Sequence, residues 1–122
     1  MRHVATKRGE PYCPEAGDFV WINLSPTLGH EQAGRRPALV LSPRAYNRKT
    51  QLCIACPTTN QAKGYPFEVT IPSGSKLAGV VLADQVKNLD WRVRKAEFIC
   101  KLPRKTTDEV LQKLGTLLAD ET

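Results

Sequence analysis

The sequence has no long hydrophobic run; its uninterrupted apolar stretches, such as Gly79 to Ala83, cover only a few residues. A membrane-spanning helix needs roughly 20, so no such span is expected and a membrane partner is not called for. The opening residues, MRHVATKRGEPYCPEAGD, contain no apolar stretch of the kind a secretory signal carries, which points to the cytoplasm. Cysteine is scarce, and in that compartment the four residues are expected to remain thiols. There is no internal repeat and no low-complexity tract. Acidic residues are missing altogether from Gln32 to Phe67, an interval that holds Arg35, Arg36, Arg44, Arg48, Lys49 and Lys63.

A chain of 122 residues falls in the range of one domain. Hydrophobic residues at 41% and charged residues at 25% are enough for a core and argue against disorder. The net charge of +6 favours a polyanionic partner. A second basic cluster runs from Lys87 to Lys105, with seven bases against Asp90 and Glu97.

Short strand-like runs dominate. Asp18 to Ser25 alternates, with Val20, Ile22 and Leu24 on one face and Phe19, Trp21 and Asn23 on the other. Pro37 to Ser42 and Leu52 to Cys56 read as buried strands, Pro66 to Pro72 as an alternating one, and Gly79 to Leu82 and Glu97 to Leu102 complete the set. Near the end the period changes. Val110, Leu111, Leu114, Leu117 and Leu118 share one helical face, and Thr106 with Glu109 fits a capping box, with Asp108 in the first turn. Together these predict a mostly β chain, a small antiparallel barrel with a C-terminal α-helix. Residues 1–16 read as a poorly ordered N-terminal arm and residues 17–122 as the single domain.

Cys53 and Cys56 have the spacing of a zinc pair, with Cys13 and Cys100 available to complete it. They lie in a strand pattern, however, where residues three apart face opposite ways, so they read as core thiols. No metal and no cofactor is expected. The run GHEQAGRRP gathers His30, Glu31, Arg35 and Arg36 before a buried strand, where a guanidinium can be aimed at a phosphate. The run from Pro57 to Pro66 offers Thr58, Thr59, Asn60, Gln61, Lys63 and Tyr65 without a carboxylate, an inventory suited to single-stranded nucleic acid.

Three ordered segments, GDFVWINLSPTLGHEQAGRRPALVLSPRAYN, CPTTNQAKGYPFEV and GVVLADQVKNLDWR, resemble the MazF/PemK family of toxin endoribonucleases, nearest its MazF branch. The resemblance runs from about Gly17 to about Asp120. It implies an SH3-like barrel of the CcdB/PemK type and a homodimer that cuts single-stranded RNA without a metal ion. It also implies an antitoxin partner with an acidic disordered segment, and DNA binding through that complex. Carried over by position, Arg36 matches the family's catalytic arginine, Thr59 its catalytic threonine and Glu31 its loop glutamate. His30 agrees with the PemK branch, as does Asp84, but Leu82 replaces the arginine that accompanies that aspartate. Arginine is a poor general base because its pKa exceeds about 12, so Arg36 is expected to stabilise charge and Glu31 or His30 to move protons. Arg35, Asn47, Gln61 and Lys63 are the candidates for holding RNA. Trp21 and Trp91 read as core or dimer surface rather than stacking residues. Two rival readings are a non-catalytic barrel that binds single-stranded nucleic acid, and a gyrase-targeting toxin like CcdB. The second lacks the arginine loop.

Overall fold

A computed structural model describes residues 11–25 and 34–119. Seven strands form one antiparallel sheet: β1 (Asp18–Asn23), β2 (Arg35–Val40), β3 (Leu52–Thr59), β4 (Glu68–Thr70), β5 (Val80–Leu82), β6 (Lys87–Asp90) and β7 (Glu97–Lys101). Helix α1 (Arg44–Thr50) joins β2 to β3, and α2 (Arg104–Leu118) follows β7. The strand order is β4-β5-β3-β2-β1-β7, with β6 also on β3. The class is as expected, mostly antiparallel β with a C-terminal helix. The hydrogen-bonded path does not close, because β4 and β7 end it without pairing to each other.

Strand β3 is the hub. One edge pairs with β2 through Ala55 to Pro57. The other pairs first with β6, through Leu52 to Ala55, and then with β5, through Thr58 and Thr59. Pro57, with no N–H to donate, falls where that edge changes partner.

The coiled sheet buries both faces. Phe19, Leu39, Cys56, Val69, Val81 and Val110 belong to one cluster; Cys13, Val20, Ile22, Val40, Cys53 and Trp91 belong to the other. Cys53 and Cys56 therefore sit in different clusters, as a strand requires, and cannot share a ligand. Trp91 is buried, and its Nε1 donates to the Asn47 carbonyl at 2.9 Å.

Two expectations change, and one element was unforeseen. Residues 12–14 are not a loose arm: Tyr12 packs on the second cluster, and Cys13 and Pro14 are buried. Residues 1–10 lie outside the described residues. Helix α2 begins at Arg104 with Pro103 as its N-cap and no side-chain cap, so Thr106 and Thr107 are inside the helix and buried. The rigid φ of Pro103 places the N-cap three residues before the one expected at Thr106. Helix α1 carries no apolar period, since Asn47 is its only buried residue, and so gave no helical signal.

Burial pushes the thiols of Cys53 and Cys56 up to about 12. Burial, then the charge of Asp18 and the hydrogen bond donated to it, raises the Tyr12 hydroxyl. All three groups hold their protons more tightly folded than unfolded. Their contribution is complete below the unfolded values, about 8.5 for Cys and 10 for Tyr, and is lost as pH rises beyond them. Urea midpoints are expected to fall between pH 8 and pH 10.5, and Tyr12→Phe should flatten the upper part of that decline. A midpoint constant over this range would contradict the assignment.

Candidate active site

Arg36 reaches the site from β2. It pairs with Ile22 of β1 in the ladder, and its guanidinium is exposed, with Nη1 donating to the Arg35 carbonyl at 3.3 Å. Thr58 and Thr59 arrive from the last two positions of β3, held by Val81 and Val80 of β5. The Thr58 hydroxyl donates to the Pro37 carbonyl at 3.2 Å, which ties the end of β3 to β2 beside Arg36. The Thr59 hydroxyl accepts the Gln61 N–H at 3.1 Å and so fixes the turn that follows.

These side chains line one open cleft of about 510 Å³ with Trp21, Pro37, Asn60, Gln61, Leu77 and Ala78. A second cleft, of about 310 Å³, is lined by Leu24, Ser25, Gly34, Arg36, Pro57, Thr58, Leu82, Gln85 and Lys87. Arg36 and Thr58 belong to both. No carboxylate lines either cleft among the described residues, so the guanidinium has no acidic neighbour there to neutralise it.

The chain that enters β2 is strapped in place. Leu24 N–H donates to the Gly34 carbonyl at 2.8 Å, and Arg94 Nη1 donates to the carbonyls of Asn23 and Ser25 at 3.0 and 2.8 Å. Gly34 makes this closeness possible, since a Cβ there would stand 2.3 Å from the Ser25 Cβ.

Gly79 does the same for Thr59. Its φ is +126°, and a Cβ would lie 2.3 Å from the Thr59 carbonyl oxygen. With Thr59 in the catalytic role that the family resemblance implies, Gly79→Ala is expected to displace it and slow the reaction at saturating substrate by about tenfold to a hundredfold, the scale of an ångström-level misplacement. A single-turnover rate equal to wild type would show that Thr59 need not sit where β5 holds it.

The expected site residues divide clearly. Arg36, Thr59 and Gln61 come together. Arg35 points elsewhere, bonded to Glu97 and to the Lys95 carbonyl with its side chain 22% exposed, so it buttresses β2 rather than lining a cleft. Lys63 is exposed but lines neither cleft; its backbone N–H, with that of Gly64, is held by the Glu68 carboxylate. Asn47 is removed from the RNA-holding set. It is fully buried, donating to the carbonyls of Pro14 and Ser42 and accepting from the Ser42 hydroxyl. Glu31 and His30 lie outside the described residues. Asp84 is exposed on the 3₁₀ turn Ala83–Gln85 and lines neither cleft.

Sequence reasoning missed Trp21 as a cleft residue. Its alternation with Val20 and Ile22 was the available signal, but the same pattern suits a core aromatic. Gln85 and Lys87 were missed for a different reason. They share a cleft with Arg36 only because β6 and β5 both attach to β3.

The fold and its arginine–threonine cleft define a class: the chain matches the family described as PemK-like, MazF-like toxin of type II toxin-antitoxin system over residues 15–118, and belongs to it. Among its relatives is the Endoribonuclease toxin MazF of Escherichia coli strain K12, 56% identical over 85 residues that make up 70% of this chain and 76% of that protein. Endoribonuclease PemK of Escherichia coli is 37% identical over 108 residues, covering 85% and 81% respectively. The crystal structure of MazF from Deinococcus radiodurans superposes with a TM-score of 0.82 at 57% identity, covering 88% of this chain and 98% of that one. A MazE-MazF crystal structure from the same organism gives a TM-score of 0.81 at 51% identity, over 91% and 100%.

Proposed function

We propose that this toxin is an endoribonuclease whose reaction centre is the cleft of Arg36 and Thr59, cutting single-stranded RNA through the substrate's own 2′-hydroxyl. The observation that carries the reading is the convergence of Arg36 and Thr59, from two different strands, on one cleft that no carboxylate lines among the described residues. In this reaction the 2′-oxygen attacks the adjacent phosphorus and the bond to the 5′-oxygen breaks. The products are a 2′,3′-cyclic phosphate and a 5′-hydroxyl. Negative charge builds on the non-bridging oxygens of the phosphorane. The planar fork of Arg36 suits two of those oxygens, and the Thr59 hydroxyl suits a third contact. The proton leaving the 2′-hydroxyl and the proton taken up by the 5′-oxygen are assigned to Glu31 or His30, the acid–base groups nearest Arg36 in sequence. Gln61 and Lys63 hold the strand, and Trp21 offers a ring on which a base can stack.

The test is to incubate the protein with a long single-stranded RNA in EDTA and map the new ends. Cleavage is expected to persist in the chelator, because the nucleophile needs no metal. RNA with a 2′-deoxy sugar at the cleaved nucleotide should resist. Rapid cutting of that deoxy substrate would sink the mechanism.

The partner that restrains the toxin is an antitoxin bearing an acidic, unstructured segment, and DNA binding belongs to the joint complex. The exposed guanidinium of Arg36, in clefts that no carboxylate lines among the described residues, supports this partner. The segment is placed over Arg36 and the turn from Thr59 to Lys63, in competition with RNA. Antitoxin affinity is expected to weaken with salt, and bound antitoxin to lower RNA affinity. An antitoxin that binds without affecting RNA would contradict this arrangement. The toxin is read as a homodimer of the cytoplasm. Among the described residues no helix is long and apolar enough to cross a membrane, while α2 leaves Leu111, Leu117 and Leu118 exposed as apolar surface for a second copy.

A further inference from the structure

We infer that the second cleft is a nucleotide subsite on the far side of Arg36 from the first, and that Gln85 reads the base held there. The inference rests on the RNA-cleaving role proposed above. Arg36 and Thr58 are the two side chains common to both linings, so they form the ridge between the clefts. A phosphodiester carries one nucleoside on each side. With the scissile phosphate on Arg36, its neighbours fall to opposite sides of the ridge, one into each cleft.

The lining of the second cleft suits this occupant. Its volume of about 310 Å³ lies at the lower end for a ligand pocket. Leu24, Pro57 and Leu82 supply apolar surface for a base face. The Gln85 amide carries both donors and an acceptor, which is what reading a base edge requires. Lys87 supplies a cation for a backbone phosphate.

Both polar residues stand on fixed elements. Gln85 ends the 3₁₀ turn Ala83–Gln85, whose Ala83 is fully buried and donates its N–H to the Phe67 carbonyl at 3.0 Å. Lys87 is paired with Ala55 in the β6–β3 ladder. Rigid support of this kind is what a discriminating contact needs. Gln85 and Lys87 are themselves exposed, so replacing either leaves the core untouched.

The experiment compares cleavage profiles of wild type, Gln85→Ala, Gln85→Glu and Gln61→Ala on a pool of randomised RNA. Gln85→Ala is expected to flatten base preference by about tenfold at one nucleotide flanking the scissile bond. Gln85→Glu, which loses the amide donors, should change the preferred base at that same nucleotide. Gln61→Ala, in the first cleft, should act on the opposite flank. Lys87→Gln should lower the salt slope of binding to a non-cleavable RNA by roughly 0.7, the single-strand value per phosphate. An unchanged profile in both Gln85 variants, or a change at the nucleotide that Gln61 governs, overturns the subsite while leaving the cleavage reading intact. A wild-type protein that leaves the pool uncut overturns the cleavage reading, and the subsite with it.

Discussion

Replacing Arg36 with Ala is expected to slow single-turnover RNA cleavage by roughly a hundred- to a thousandfold, the usual cost of about 2.7–4 kcal/mol for one preorganised donor to an oxyanion. The reason lies in when the contact matters. Charge on the phosphorane oxygens exceeds that on the ground-state phosphate, so in the proposed reaction the hydrogen bonds of Arg36 strengthen at the transition state and act on the chemical step. Its surroundings reinforce the effect, because no carboxylate shares either cleft among the described residues. Arg36→Lys should be nearly as damaging, since an ammonium keeps the charge and loses the two-pronged geometry. Lys63 offers the contrast. It lines neither cleft, so Lys63→Ala is expected to act through RNA affinity and to lower the salt slope by roughly 0.7. The deciding measurement is single-turnover rate against protein concentration. Should Arg36→Lys cleave saturated RNA at the wild-type rate, Arg36 is a binding residue only.

Asn47→Ala is expected to cost about 3 kcal/mol of folding stability, through loss of buried hydrogen bonds whose partners are left unsatisfied. The side chain is fully buried and bridges three places: the Pro14 carbonyl, the Ser42 carbonyl at 3.0 Å and the Ser42 hydroxyl. That hydroxyl in turn accepts the Ile54 N–H at 2.8 Å, so one amide links the N-terminal segment, the end of β2, α1 and β3. Truncation leaves the Pro14 carbonyl only the weak Cys13 thiol donor at 3.8 Å and opens a cavity. For a domain of this size the loss corresponds to a melting point lower by about 10–20 °C. Thermal unfolding of the variant checks this. A shift of only a degree or two would show that water or a rearranged Ser42 replaces the amide.

The same residue shows where sequence reasoning stops. Asn47 sits in a polar run with Arg44, Arg48 and Lys49, which reads as exposed surface, and nothing in its spacing reveals that the side chain turns inward. Long alternating or aliphatic runs were legible: β1, β2 and the first half of β3 follow from their patterns, and α2 from its leucines. Boundaries set by proline were less so. Pro103 starts α2 early, and Pro57 sits inside β3 instead of ending it. In the site, clusters of chemically distinctive residues marked two short loops, the family resemblance singled out Arg36 and Thr59 within them, and Gln61 was named because its loop flanks that pair. Arg35 was named beside Arg36 for the same reason, yet successive residues of a strand point to opposite faces, and Glu97 holds it on the other side. Trp21, Gln85 and Lys87 depend on strand order, which no local pattern encodes.

The position of Thr58 and Thr59 at the end of the hub strand has a genetic consequence. On the proposed reading, the residues at the reaction centre are continuous with the segment that joins β2, β5 and β6, so damage to any of those ladders reaches that centre. The mutational target for inactivation is thus much larger than the few side chains in the clefts. For a growth-inhibiting protein, this shapes how cells escape it when restraint fails. Survivors should carry substitutions scattered through β2, β3 and β5, with glycine positions such as 34 and 79 among them, rather than changes confined to Arg36 and Thr59. A toxin built on a shared strand is easily silenced by chance.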